Sequence, residues 1–134
     1  MIPVIDVMIR KVVKMKKTAS IYQAACVMQD RNIGSVVVED HKQIVGILTE
    51  GDIVRRVIAS GVDPHATTTG EAMTVPFLVI EAERSVVDAN DIMEREHVRH
   101  LGVIQNDKIV GIVSVRDLLS HLYGKSLHSS SRAV

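Results

Sequence analysis

Two short segments of this 134-residue chain place a hydroxyl residue three positions before an aspartate, directly after a glycine and two apolar residues. The segments are Gly46-Ile47-Leu48-Thr49-Glu50-Gly51-Asp52 and Gly111-Ile112-Val113-Ser114-Val115-Arg116-Asp117. At a strand-to-helix turn, backbone N–H groups can hold an anion, and a hydroxyl side chain can assist them. A carboxylate beside them can accept hydrogen bonds from both vicinal hydroxyls of a ribose. The pattern therefore fits a site for a nucleoside phosphate.

The same spacing also has a purely local interpretation. A Ser or Thr that begins a helix accepts a hydrogen bond from the N–H three residues later, and an acid at that third position bonds back to the cap. In this alternative Asp52 and Asp117 only cap helices, and the chain is a structural dimerisation module without a bound nucleotide. An enzyme is a third class, but neither turn has a general base or nucleophile beside it. We therefore predict no catalytic residue.

The chain repeats itself at a fixed offset of 65 residues without a gap. Ten of the 51 positions from Asp6 to Arg56 are identical in the second copy, and several others exchange one apolar residue for another. The two hydroxyl-to-aspartate turns are themselves one of the matched stretches. So many matches at one offset indicate a duplicated unit.

Each copy predicts the order β-α-β-β-α, which makes the fold class α+β. Short extended pieces at 12–13 and 77–80 lead to Ser20 and Ser85, which have the pattern of helix N-caps. Two β-rich runs around a polar turn follow, and a second helix closes each copy at about 50–60 and 115–123. A three-stranded sheet covers one face with its own helices, so we expect the two copies to pack through their sheets with pseudo-twofold symmetry. Clefts between packed units are common places for small ligands.

Composition excludes several classes of protein. The chain has 16 Lys and Arg against 16 Asp and Glu, and this zero net charge argues against a nucleic-acid-binding surface. No apolar run approaches the ~20 residues of a membrane span, and the N-terminus has no signal-peptide pattern. The single Cys26 forms no internal disulfide, which favours the cytoplasm. Glu94 and His97 have no matching second pair, so no metal site is predicted.

The chain divides along its length into four stretches. We predict the first unit at 1–61, a Thr-containing linker at 62–70, the second unit at 71–125 and a serine-rich flexible tail at 126–134.

The repeat resembles the CBS motif, and residues 4 to 124 resemble a stand-alone pair of CBS domains, a Bateman module. Its markers are the run 31–38, the run His97-Val98-Arg99-His100-Leu101 and the two glycine-to-aspartate turns. Asp63-Pro64 near the start of the linker and Gly70-Glu71-Ala72-Met73-Thr74 from its last residue onward fit as well. The resemblance implies disc-like homodimers, an unidentified downstream protein, and clefts that bind adenosine compounds such as AMP, ADP, ATP or S-adenosylmethionine as regulatory ligands.

The resemblance also implies roles for individual residues. In the better cleft Asp117 would hold the ribose hydroxyls, Ser114 a phosphate or ribose oxygen, and Ile112 the base. Cationic residues would face phosphate: Arg99, His100 and Arg116. Residues of the first copy would close the opposite wall: Thr18, Ala24 and Ser35. The mirror cleft would repeat the ribose elements with Asp52, Thr49 and Ile47.

The two clefts are predicted to be unequal. Gly34 and Ser35 stand where the second copy has Arg99 and His100, and Gly51 stands where it has Arg116. A cation within ~4 Å of a phosphate contributes about 1–4 kcal/mol, depending on the effective dielectric constant. We therefore expect the site of Asp117 to bind more tightly.

Charge is also divided between the copies. Residues 1–60 contain nine Lys and Arg against six Asp and Glu, a net +3, whereas residues 61–134 contain seven against ten, a net −3. A head-to-tail dimer would bring these opposite charges together.

Overall fold

Each repeat forms a three-stranded sheet with one parallel and one antiparallel strand pair in the computed structural model, which describes residues 1–121. The strands of the first repeat are β1 (Lys14–Lys16), β2 (Ser35–Asp40) and β3 (Gln43–Thr49). Those of the second repeat are β4 (Val79–Glu81), β5 (His100–Gln105) and β6 (Lys108–Ser114). Spatial order follows chain order in both sheets, with β1 parallel to β2 and β4 parallel to β5. The predicted α+β class and its duplicated unit are confirmed.

Helices of matching length connect the parallel strands. They are α1 (Ile21–Arg31) and α4 (Val86–Glu96), and each begins after the predicted serine cap. Ser20 Oγ accepts a hydrogen bond from Gln23 N at 3.0 Å, and Ser85 Oγ accepts one from Asp88 N at 3.1 Å. Both helices end at a residue in the left-handed conformation, Asn32 and His97. His97 is therefore the C-terminal cap of α4.

The first strand of the first repeat lies later than predicted. We expected extended structure at 12–13, but β1 spans Lys14–Lys16 and pairs with residues 37–39. Only Met15 of this strand is partly buried, because it alone points toward the core between two exposed lysines. A run of apolar residues predicts a buried strand, but a single apolar residue between two lysines does not. β4 likewise begins at Val79 rather than at residue 77.

Tight hairpins join the antiparallel strands at the predicted polar turns. His41 and Lys42 both have positive φ angles, 49° and 66°, and Asn106 and Asp107 repeat this with 53° and 61°. Two successive left-handed residues produce a turn whose twist matches that of the strands. Both hairpins also contain a register shift at the same repeat position, between Val38 and Glu39 and between Val103 and Ile104.

The second helix differs between the repeats. In the first repeat α2 (Glu50–Asp52) continues as a π-helical turn over Ile53–Ile58. In the second repeat α5 covers the described residues 115–121 with α-helical geometry. Tyr123 and the tail predicted at 126–134 lie outside the described residues.

The chain packs into two units that exchange their leading segments. One unit consists of Met1–Val12 with the residues from Leu78 onward, and the other is Val13–Phe77. The exchanged segments are equivalent in the repeat: the short 3₁₀ helix Val4–Asp6 matches α3 (Thr69–Ala72) at the offset of 65. Part of the predicted linker at 62–70 is thus structured, since Thr69 is fully buried and its hydroxyl donates to Lys16 O at 2.8 Å.

Each unit has its own hydrophobic core, to which the exchanged segment contributes. The first repeat's sheet and helices bury a cluster that includes Ala72. The second repeat's sheet and helices bury a cluster that includes Val4 and Met8. The exchanged segments therefore supply part of the second layer that each thin sheet needs.

The exchanged segments also pair with the last strand of each sheet. Ile9 N donates to Ile112 O at 2.8 Å and Ile112 N donates to Ile9 O at 3.0 Å. Thr74 and Ile47 form the equivalent pair at 2.7 and 3.1 Å. The paired strands contain Gly111 and Gly46, where a Cβ would lie 2.8 Å from Ile9 O and 2.9 Å from Thr74 O respectively. A side chain at either glycine would therefore push the exchanged segment away.

We predict that Gly46→Ala and Gly111→Ala each lower the free energy of unfolding by about 1–3 kcal/mol, because the added methyl meets a backbone carbonyl. Urea denaturation monitored by circular dichroism measures this. Gly51→Ala is the matched control, since its methyl would meet only the flexible end of Arg55 and alanine favours a helix by up to about 1 kcal/mol. An equal loss of stability in all three variants would contradict the close-approach explanation.

Candidate functional site

The turn of the first repeat has the reciprocal hydrogen bonds of a capping box. Thr49 is the last residue of β3, and its Oγ1 accepts a hydrogen bond from Asp52 N at 3.2 Å. The Asp52 carboxylate returns the interaction by accepting a hydrogen bond from Thr49 N at 3.0 Å. These bonds satisfy N–H groups that the first turn of a helix leaves without intrahelical partners.

Asp52 has further partners outside its own turn. Thr74 Oγ1 lies 2.8 Å from Oδ1 and 3.0 Å from Oδ2 of the carboxylate, and Arg56 Nε lies 3.7 Å from Oδ1. Asp52 is only 3% exposed. This carboxylate is thus buried among donors that belong to the protein itself.

The turn of the second repeat has the same box, and its aspartate is less buried as a residue. Ser114 N and Ser114 Oγ lie 2.8 and 3.0 Å from Oδ2 of Asp117, and Asp117 N donates to Ser114 Oγ at 3.2 Å. Asp117 is half-buried, in contrast to Asp52. The apolar residue five positions earlier follows the same trend, since Ile112 is half-buried and Ile47 is 5% exposed.

Three predicted cationic residues lie near the second turn. His100 and Ser114 are directly opposed on β5 and β6, and Arg99 O accepts a hydrogen bond from Val115 N at 3.0 Å. Arg99 and Arg116 are exposed, and His100 is half-buried. The fold therefore brings Asp117, Ser114 and their three predicted phosphate-facing neighbours to one end of the β5–β6 pair.

The equivalent strand end of the first repeat has the same backbone without those cations. Ser35 lies opposite Thr49, and Gly34 O accepts a hydrogen bond from Glu50 N at 3.0 Å. Neither Gly34 nor Ser35 carries a charge. The equivalent strand ends of the two repeats therefore differ in these side chains, and this difference is the basis on which unequal sites were predicted.

The other predicted residues of the first repeat occupy different environments. Thr18 is exposed in the turn after β1, and Ser35 is half-buried at the start of β2. Ala24 is fully buried in the core with Ile21 and Met28, so its methyl group presents no surface to a ligand in this structure.

Sequence reasoning missed the contribution of Thr74. This residue follows Asp52 by 22 positions, beyond any local spacing pattern, and it lies in the exchanged segment. The alignment of the two copies offered one clue to this contact. At the offset of 65, Thr74 aligns with Ile9, so only one copy has a hydroxyl at this position.

Three carboxyl groups elsewhere in the described residues have a clearly lowered pKa. The hydrogen bond from Lys17 lowers the pKa of Asp40, and the hydrogen bond from Thr68 N lowers the pKa of Glu71. Likewise, the hydrogen bond from Arg84 lowers the pKa of Asp88. Each is an exposed ion pair or helix cap, so these shifts indicate structural roles.

Residues 1–121 contain no group of three or more His, Cys, Asp or Glu placed to hold a metal ion. Over the same residues, no helix combines the length and apolar character needed to cross a membrane.

The family model for the CBS domain matches this chain twice, over residues 4–59 and 70–124. The chain belongs to the CBS-domain family. Proteins with paired CBS domains are generally regulatory or sensor modules that bind adenosine compounds, and the stand-alone members are typically non-catalytic.

Individual relatives agree with this assignment. Hypoxic response protein 1 of Mycobacterium tuberculosis is 34% identical over 100 residues, which are 74% of this chain and 70% of that protein. A putative signal-transduction protein with CBS domains from Burkholderia ambifaria has a TM-score of 0.81 at 30% identity, covering 84% of this chain and 83% of that one. A structure described as hypoxic response protein I with two coordinated zinc ions has a TM-score of 0.72 at 30% identity, over 90% of this chain and 99% of that one.

We predict that Asp52→Ala lowers the free energy of unfolding by about 2–3 kcal/mol and Asp117→Ala by about 1 kcal/mol. Both substitutions remove the carboxylate half of a capping box, but Asp52→Ala also leaves the Thr74 hydroxyl without its acceptor in a partly buried environment. Urea denaturation of the two variants gives the comparison. Asp91→Ala, at an exposed position on α4, is the control and should stay within about 0.5 kcal/mol of the wild type. A larger loss of unfolding free energy for Asp117→Ala than for Asp52→Ala would contradict the view that Asp52 is the more important of the two for stability.

Proposed function

We propose that this CBS pair is a non-catalytic sensor that binds an adenosine compound of the AMP, ADP, ATP or S-adenosylmethionine type, with its main site at Asp117. The observation that carries the proposal is the half-buried carboxylate of Asp117, held beside Ser114 at the helix entrance. A carboxylate at the surface can accept both hydroxyls of a ribose. An almost fully buried aspartate such as Asp52 is less accessible to a ligand.

The surroundings of Asp117 support a phosphate-bearing ligand. Arg99 and Arg116 are exposed near the same strand end, and His100 lies opposite Ser114. Cationic groups close to a phosphate strengthen its binding, and arginine can form paired hydrogen bonds with it. Half-buried Ile112 offers an apolar surface for the base. The contacts assigned to Thr18 and Ser35, and a cytoplasmic location, stay predictions.

A sensor also needs two states that the ligand distinguishes. An adenosine compound changes the conformation or partner affinity of this chain only if it binds the two states unequally. A downstream protein is the component that would read this change.

We expect AMP, ATP or S-adenosylmethionine to raise the Tm of the protein by about 5–10 °C when present at 100 times its Kd, because ligand at that excess adds about 2.7 kcal/mol of stability. Differential scanning fluorimetry, with NAD included as a fourth compound, measures the shift. Asp117→Asn keeps an oxygen for the helix cap but removes the charge, so the shift should be lost.

Asp91→Asn is the control for this measurement and should retain the full shift. The comparison uses the change on adding ligand within each variant, which separates binding from the intrinsic stability of the variant. A protein that responds to none of the four compounds would support the alternative, a structural dimerisation module whose aspartates only cap helices.

We propose that the functional unit is a homodimer. CBS-domain proteins often oligomerise. Val54 and Ile58 on the second helix of the first repeat are 58% and 61% exposed, and Leu119, the repeat equivalent of Val54, is 43% exposed. Apolar side chains exposed at matching positions are typical of a surface that is buried in an assembly.

Ile58→Lys is predicted to shift the protein from dimer to monomer in sedimentation velocity, because it places a charge within the proposed apolar contact. Val75→Lys, at an equally exposed position outside the helix, is the control and should leave the dimer intact. Crosslinks between copies test the predicted head-to-tail order, which links between like repeats alone would exclude. A wild-type protein that sediments as a monomer would overturn the dimer proposal.

A further inference from the structure

Asp52 and Asp117 occupy equivalent turns, but one neighbouring position differs in chemistry. The residue that pairs with β3 beside Asp52 is Thr74, and the residue that pairs with β6 in the second repeat is Ile9. Threonine has a hydroxyl group, whereas isoleucine of similar shape has none.

The backbone around the two positions is the same. Thr74 and Ile47 exchange two backbone hydrogen bonds, and so do Ile9 and Ile112. The preceding methionine, Met73 or Met8, lies against a glycine in both cases. The difference between the repeats at this position is therefore one of side chain and not of backbone path.

Thr74 makes the contact that a ligand hydroxyl would make. Its Oγ1 lies within 3.0 Å of both oxygens of the Asp52 carboxylate. Thr49 N donates to the same carboxylate, and Arg56 Nε lies 3.7 Å from it. With these donors in place and 3% of the residue exposed, a ribose would have to displace the threonine hydroxyl before it could bind.

We infer that the Thr74 hydroxyl is an internal substitute for a sugar hydroxyl, and that it closes the first repeat to adenosine compounds. The residue at position 74 then determines whether the first repeat accepts ligand and how many ligands one chain binds. This inference rests on the proposed function and adds a cause for unequal sites that is independent of the missing cations.

The effect on affinity is expected to be large. A ligand that must break a charge-assisted hydrogen bond loses roughly the strength of that bond, which corresponds to a binding constant about 10- to 100-fold weaker. The first repeat also has Gly34, Ser35 and Gly51 at the positions of Arg99, His100 and Arg116, so we expect its affinity for a phosphate-bearing ligand to be lower for this reason as well. Both effects act in the same direction.

The test measures binding stoichiometry by isothermal titration calorimetry of the full chain with AMP and with S-adenosylmethionine. The wild type should bind one ligand per chain, and Thr74→Val should bind two. The binding constant of the second site in Thr74→Val should be at least 10-fold higher than the weakest binding constant that the wild-type titration could detect. Thr74→Ser keeps the hydroxyl and should behave as the wild type. Ile9→Thr should weaken the site of Asp117 by about tenfold, because it introduces the competing hydroxyl there.

Two further variants identify the site that opens. In the Thr74→Val background, Asp117→Asn should leave one ligand per chain, and Asp52→Asn should also leave one. A merely structural role of Thr74 would lower the Tm of Thr74→Val without changing its stoichiometry. Because Ile9→Thr acts in the other repeat, it keeps the inference falsifiable if Thr74→Val fails to fold.

The outcomes separate this inference from the proposed function. Two ligands per wild-type chain, or one per chain in both wild type and Thr74→Val, would overturn the role of Thr74 and leave the sensor function standing. Binding of neither compound to any variant would overturn the proposed function, and the inference with it. One ligand in the wild type and two in Thr74→Val supports both.

Discussion

The close approach of an exchanged segment to a glycine in the last strand of each sheet is the constraint on which this structure depends. Thr74 reaches Ile47, and Ile9 reaches Ile112, only because Gly46 and the equivalent Gly111 have no side chain. This contact covers the last strand and brings apolar residues of the segment into the core. It also decides which side chain lies beside each helix entrance, so the packing of the fold and the chemistry of its sites have one origin.

The two helix entrances show how one local motif serves two purposes. A hydroxyl and an aspartate three residues apart satisfy the N–H groups that the start of a helix exposes, whatever else surrounds them. Both repeats contain this capping box. Whether the carboxylate is also available to a ligand depends on its burial and on donors from elsewhere in the chain. The capping and ligand-binding interpretations are therefore compatible. We propose that the aspartate of the second repeat does both, whereas that of the first repeat mainly caps its helix.

Duplication gives a protein two equivalent sites, and later substitutions can make them different. Here three kinds of difference underlie the proposal that the second repeat holds the main site: the charges at the strand end, the burial of the aspartate and the residue on the exchanged segment. Arg99 and His100 replace Gly34 and Ser35, and Ile9 replaces Thr74. The backbone pairing beside each turn is preserved, so these residues differ in their side chains on a common strand framework. The proposed class of ligand comes from family membership, and the proposed preference between sites comes from the side chains.

The amino-acid sequence by itself determined the duplication, the α+β class, the serine caps of α1 and α4, the polar hairpin turns and the pair of capping boxes. These features depend on residues close together in the chain or on a repeat that alignment reveals. The sequence placed β1 too early, because one apolar residue between two lysines carries little periodicity. Only the tertiary structure decided that the leading segments are exchanged, that Ala24 belongs to the core and that Thr74 reaches Asp52. Each of these is a contact between residues far apart in the chain, and packing selects such contacts where local spacing has no influence.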